Sequence, residues 1–270
     1  MPEVLDAFQR SVDEGQHRLE RTLPELVATG LVGGLDVTTG VFAMLLVEQK
    51  THGDKLLGAL AFGIGFLALT LASSELFTEN FLIPINAVVA KKAPWWSPLR
   101  LWAGTLVFNL VGGWVLTGLV IVAFEELRPV AVEVASKPAF LGINVHSFAS
   151  AVIGGAMITL MTWMERSTES IFGKVIAAWS IAFILAGAPL HHAIVISIEM
   201  FAALHAGAPF GYADWLGALA WASLGNVIGG VGFVTVLRLV QVGGEEIKKE
   251  QERPKDEPRE DGSTSGGDEG

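Results

Sequence analysis

Apolar residues run through this chain in long blocks separated by short polar connections. Four blocks, 26–47, 101–124, 147–164 and 216–237, have the length of one membrane-crossing helix, since a hydrocarbon core of about 30 Å needs about 20 apolar residues. Two others, 56–90 and 175–204, hold 35 and 30 residues and would extend roughly 52 and 45 Å as continuous helices. Each of these must be broken. The first carries SSELFTEN followed by Pro84, and the second carries GAPLHH, where Gly187 and Pro189 interrupt a helix and two histidines follow. The pattern therefore predicts an all-α membrane protein of six transmembrane helices, two of them broken.

The short polar stretch inside the first long block changes the picture most. Ser73, Ser74, Glu75, Thr78, Glu79 and Asn80 stand where the surroundings predict lipid. Non-helical backbone at membrane depth is tolerated only where protein covers it or where it lines water. The stretch is expected to fold into the bundle as a loop, with Glu75 pinning it by accepting backbone N–H groups.

A repeat supports this. NLVGG (Asn109–Gly113) in the third span recurs as NVIGG (Asn226–Gly230) in the sixth, and a broken segment precedes each copy. Three spans separate the copies, so they insert with opposite topology. That is the inverted 3+3 arrangement in which discontinuous helices meet near the bilayer midplane and build a permeation site. Taken singly, either NxxGG also suits close helix packing through small residues.

Charge orients the bundle. Of 18 Lys and Arg, 14 fall in the N-terminal segment, the connections after spans two and four and the C-terminal end, against 4 on the other side. Both termini are expected in the cytoplasm of a multi-pass plasma-membrane protein, in contact with the lipid bilayer. Val4, Leu5, Phe8, Val12 and Leu19 give the first 25 residues an amphipathic helical pattern, suited to the membrane surface or to packing against the cytoplasmic side. No signal peptide is expected there, since a basic n-region and a short h-region are missing. From Gly243 onward, ten Asp and Glu stand against five Lys and Arg, amid Gly, Pro and Ser, so 243–270 is expected to be a disordered acidic tail.

Composition agrees with a membrane protein: 51% of the 270 residues are hydrophobic, 17% are charged, and the mean hydropathy is +0.50. Cysteine is absent, which excludes disulfides and thiolate metal sites. No metal, cofactor or nucleic-acid partner is expected. Ser, His and acidic residues occur within the spans, but no nucleophile turn, HExxH or paired-Asp motif accompanies them, which argues against an intramembrane enzyme.

SSELFTEN, NLVGG, the break ending at His191 and NVIGG resemble, in order and spacing, the formate/nitrite transporter family over about residues 26–240. The resemblance implies an aquaporin-like fold, a homopentamer with one pore per protomer, and proton-coupled passage of small monovalent anions or weak acids such as formate, nitrite or hydrosulfide. By position, Thr78 falls on the threonine of the cytoplasmic gating loop, Leu76 on its apolar constriction, Phe62 and Phe66 on further constriction positions, His191 on the central histidine and Ile184 on an apolar residue before it. Several positions depart from the family. Leu190 replaces its Glu, Val195 and Ile196 replace its Asn-Met pair, its outer lysine falls on Ala139 with Lys137 nearby, and its asparagine in span four falls on Gly155. His192, Asp36 and Glu199 are additional. Adjacent histidines point about 100° apart on a helix, so only one of the pair faces a narrow pore, and the family match assigns that place to His191. The chain reads as a divergent branch. A neutral-solute channel of aquaporin or urea type, or a cation pathway using Asp36, Glu75 and Glu199, is the competing reading.

Overall fold

The computed structural model describes residues 2–254, and the described residues contain no strand. The helices are α1 (Pro2–Glu20), α2 (Leu23–Lys50), α3 (Lys55–Ala72), α4 (Ile83–Val89), α5 (Ser97–Ala123), α6 (Arg128–Phe140), α7 (Val145–Arg166), α8 (Ile171–Gly187), α9 (Ala193–His205), α10 (Tyr212–Val242) and α11 (Gly244–Glu252). Five of them, α2, α3, α5, α7 and α10, are long and apolar enough to cross a membrane, while α8 and α9 are shorter apolar helices.

Local chemistry sets the boundaries. Pro24 sits in the first turn of α2, and Glu25 reaches back to the Thr22 amide at 2.8 Å. Asp54 caps α3 by accepting from the Leu56 and Leu57 amides, and Asn144 caps α7 through His146 and Ser147. The helix ends lie a few residues outside the apolar blocks because caps and flanking polar residues extend them.

Both long blocks are interrupted. Helix α3 stops at Ala72, where Ser73 takes a left-handed conformation (φ 54, ψ 35). The chain then runs extended to Leu76 and makes a tight turn at Phe77–Phe81 before α4. Helix α8 stops at Gly187 ahead of Pro189, and α9 starts after His192. The main apolar core joins the two regions: Phe62, Phe66, Leu76, Phe77, Phe81, Ile158, Ile181, Leu185, Ile194 and Ile198 are all buried in it. Helix α10 carries a π-helical stretch at Ile228–Thr235, whose Thr235 hydroxyl donates to the Phe81 carbonyl at 2.8 Å.

Three segments differ from the sequence expectation or add to it. Helix α1 does not lie apart from the bundle. Its Ala7, Phe8 and Val12 are fully buried in a second cluster with Leu82, Trp163 and Val242, which is the packing alternative. Helix α6 occupies a connection for which the apolar pattern predicts nothing. The expected disorder from 243 is corrected over Gly244–Glu252, which forms α11. Its first turn holds Glu245 and Glu246, its last turn holds Lys249, and the charges suit the helix dipole. Gln251 donates to the Val89 carbonyl at 2.8 Å, and Arg253 pairs with Asp13 and Glu250. The remainder of the expected tail, 255–270, lies outside the described residues.

Candidate functional site

The two interruptions are held by the same device. The Asn109 side chain accepts the Phe77 amide through Oδ1 (2.9 Å) and donates through Nδ2 to the carbonyls of Gly30 (2.8 Å) and Glu75 (2.9 Å). The Asn226 side chain accepts the Ala193 amide (2.9 Å) and donates to the carbonyls of Ala151 (2.7 Å) and His191 (2.9 Å). A buried amide thus satisfies backbone groups that the missing helical turn leaves open. Neighbouring helices must come close for this. A Cβ at Gly34 would collide with the Asn109 carbonyl, and one at Gly155 with the Asn226 carbonyl. In this register Glu75 corresponds to His191, and Leu76 to His192.

The side chains at the first interruption are charged and paired. Glu75 is fully buried and meets Arg18 Nε at 2.8 Å as well as the Arg21 guanidinium. Arg18 also reaches Glu14 at 2.8 Å, Glu79 at 3.7 Å and Asn80 Oδ1 at 3.1 Å. Burial opposes the Arg18 charge, but Glu75, Glu14 and Glu79 together hold its guanidinium above its ordinary pKa. Burial likewise works against the Glu14 carboxylate, yet Arg18 brings it down to about 2. The expected partner of Glu75 is loop backbone; its actual partners are Arg18 of α1 and Arg21 just beyond the end of that helix. Sequence reasoning missed both. Arg18 was open to discovery, because it continues the buried stripe Ala7, Ser11, Gly15 at helical spacing. Asp36 is tied in as well, accepting from the Ser74 hydroxyl.

The second interruption carries no such charge pairing. The His191 amide donates to Ser150 Oγ at 3.1 Å. Its imidazole lines a cavity of about 380 Å³ together with Glu48, Lys55, Glu133, Lys137 and Glu199. His192 turns the other way. It is fully buried, its Nδ1 accepts the Val195 amide at 3.3 Å as the cap of α9, and its Nε2 lies 2.6 Å from Thr78 Oγ1. An acceptor at Nδ1 leaves the ring proton on Nε2, so the imidazole donates to Thr78, and the hydroxyl hydrogen is directed onward.

The structure therefore brings Thr78 together with His192, while His191, which the family match sets at the central histidine, lines the cavity. The backbone turns between α8 and α9, so one histidine lines the cavity and its neighbour points into the core at Thr78. Phe62 and Phe66, with ring centroids 5.6 Å apart, and Leu76 are fully buried in the core beside these residues. Ile184 is 40% exposed and lies apart from that core. Lys137 takes a place in the cavity that its distance from the matched position Ala139 did not suggest.

A family model described as formate/nitrite transporter matches residues 5–240. The chain belongs to the formate/nitrite transporter family. It is 24% identical over 247 residues to the uncharacterized transporter YrhG of Bacillus subtilis, covering 86% of this chain and 90% of that one. To the formate channel BtFdhC of Bacillus thuringiensis it is 26% identical over 245 residues, covering 83% and 89%. Among solved structures, an FNT family ion channel superposes with a TM-score of 0.75 at 18% identity, covering 86% of this chain and 96% of that one. A pentameric formate channel with formate bound gives 0.66 at 19%, covering 80% and 95%. The fold of this formate/nitrite transporter family member is thus that of the known channels. It is a multi-pass membrane protein of a transport family rather than an enzyme.

Proposed function

We propose that this protein conducts small monovalent anions or weak acids, such as formate or nitrite, and that a histidine links the passage to protons. Family membership supports the substrate class, and the 2.6 Å contact between Thr78 and His192 carries the mechanism. An anion entering an apolar bore loses hydration at a cost of several kcal/mol. In this reading the anion is received in the cavity by Lys137 and His191 and takes a proton from the protonated His191 imidazole, which the solution on that side recharges, and the proton is given up to the solution on the far side. It then passes Phe62, Phe66 and Leu76 as a neutral acid, hydrogen-bonded on its way by the Thr78 hydroxyl that His192 orients. In this reading His192 takes the inner place beside Thr78, and His191 takes an outer one at the cavity. Ile184, being exposed, is left out of the path.

The architecture we propose is six spans in an inverted 3+3 repeat, with two broken helices and both termini in the cytoplasm, assembled from five copies. The matching hydrogen bonds of Asn109 and Asn226 support the repeat, and the division of basic residues supports the orientation. The test is flux of formate, acetate, lactate, nitrite, hydrosulfide and a neutral solute into liposomes at several pH values. Wild-type flux of the weak acids should rise as external pH falls. His192→Asn should remove most of the flux, and His191→Asn should flatten its pH profile while leaving the channel assembled. If only the neutral solute moves, the channel is of the aquaporin or urea type instead.

A further inference from the structure

The cavity beside the second interruption holds more charge than receiving one small anion requires. Lys55 Nζ is engaged by Glu48 at 2.7 Å and by Glu133 at 3.0 Å, so these three groups largely satisfy one another. Lys137, His191 and Glu199 remain. Among the described residues no hydrogen bond or ion pair reaches the Glu199 carboxylate, although it lines the cavity and feels the fields of Glu48 and Lys55. It lies two turns along α9 from His192, on the face that also presents Val195 and Ile196 to the cavity.

The charges facing Glu199 come from every side of that space: Glu48 from α2, Lys55 from the start of α3, Glu133 and Lys137 from α6, and His191 from the α8–α9 connection. Helices α5 and α10 also pack on α9, but no titratable residue of theirs lines the cavity. With Glu199 ionised, three carboxylates outnumber two lysines and the cavity is net negative; with Glu199 protonated the two signs balance. An ionised carboxylate several ångströms from an anion repels it enough to lower occupancy by about tenfold or more in a protein environment. A protonated one offers that anion a hydrogen bond.

The geometry points to Glu199 as the residue that sets which charge state the entrance accepts: as the neutral acid it hydrogen-bonds a small monovalent carboxylate beside His191 and Lys137, and as the carboxylate it turns that anion away. This rests on the anion-channel reading and assigns the control of entry to a residue outside the Thr78–His192 pair. Its consequence is an entrance that loads only when Glu199 has taken a proton from the solution on that side.

The test is formate influx into liposomes holding wild type, Glu199→Gln, Glu199→Leu or Glu199→Asp, at external pH from about 5 to about 8. Taking the variant-to-wild-type ratio at each pH cancels the titration of formate itself. The ratio for Glu199→Gln should be near one at the acid end and climb about tenfold or more by the alkaline end. Glu199→Leu should show the same climb, so the result does not depend on one variant folding, and Glu199→Asp should keep the wild-type profile. A ratio independent of pH in conducting Gln and Leu variants overturns the inference and leaves the channel reading intact. Absence of weak-acid flux in wild type at every pH overturns the channel reading and the inference together.

Discussion

The two interruptions share an asparagine clamp and differ in what stands at the matching position. At the first, Glu75 is sealed from water and gripped by Arg18 and Arg21. At the second, His191 faces an open cavity, and its neighbour His192 reaches across the core to Thr78. One break is locked by ionic bonds to Arg18 and Arg21, and the other is held by neutral hydrogen bonds beside a cavity. The same backbone solution therefore carries a charged anchor in one half and a cavity-lining histidine in the other.

The largest effect should come from the clamp itself. Asn109→Ala and Asn226→Ala each remove three buried hydrogen bonds and strand one amide and two carbonyls, a loss of about 3–6 kcal/mol. Both should abolish a monodisperse, detergent-stable assembly in size-exclusion chromatography. A stable Asn226→Ala beside an unstable Asn109→Ala would break the equivalence of the two clamps.

Next is the ionic lock. Arg18→Ala should cost about 3 kcal/mol, because it leaves Glu75 buried with less compensation. Adding Glu75→Gln should recover much of that loss in thermal unfolding, as a double-mutant cycle would register. No recovery would show that Arg18 matters for packing alone. The Glu14–Arg18 pair adds a pH signature. The folded-state pKa of Glu14 is lowered to about 2, so the pair's contribution is full above the ordinary carboxylate value of 4.5 and disappears as pH falls through about 2.

The smallest effect belongs to α11. Deleting residues from Gly244 onward removes the Gln251–Val89 bond and the pairing of Arg253 with Asp13 and Glu250. Arg253 and Asp13 are partly exposed and Glu250 is buried, and contacts of this kind sum to about 1–2 kcal/mol, so the midpoint of thermal unfolding should drop by a few degrees with flux unchanged. Loss of flux on truncation would make this end of the chain part of the transport path.

Much of the fold was legible because length and hydropathy dominate in a membrane. The positions of Gly187, Pro189 and SSELFTEN marked where the long apolar blocks stop, and NLVGG and NVIGG marked the clamps. The histidine contact was harder to read. Assigning direction to His191 and His192 requires knowing where α8 ends and α9 begins, and helical spacing has no meaning across that turn. For Arg18 the position on the Ala7, Ser11, Gly15 stripe was legible but the role was not, because a charge on an amphipathic helix looks solvated until the buried carboxylate it serves is in view. Helix α11 escaped because composition weighs residues without weighing the carbonyl of Val89 and the carboxylate of Asp13 that receive them.

The placement of Arg18 and Arg21 also bears on how the chain is assembled during synthesis. The positive groups leave the ribosome more than fifty residues ahead of Glu75 and Glu79, so counter-ions are already waiting when those carboxylates emerge. The asparagine clamp and the ion pairs of the first interruption, from Arg18 to Asn109, belong to the first half of the chain, and the Thr235 hydroxyl on the Phe81 carbonyl is added from the second. The second interruption borrows its innermost contact, Thr78, from that earlier half. The N-terminal half thus carries the counter-ions for its own buried carboxylates, and the C-terminal half adds His192 on Thr78 and Thr235 on Phe81.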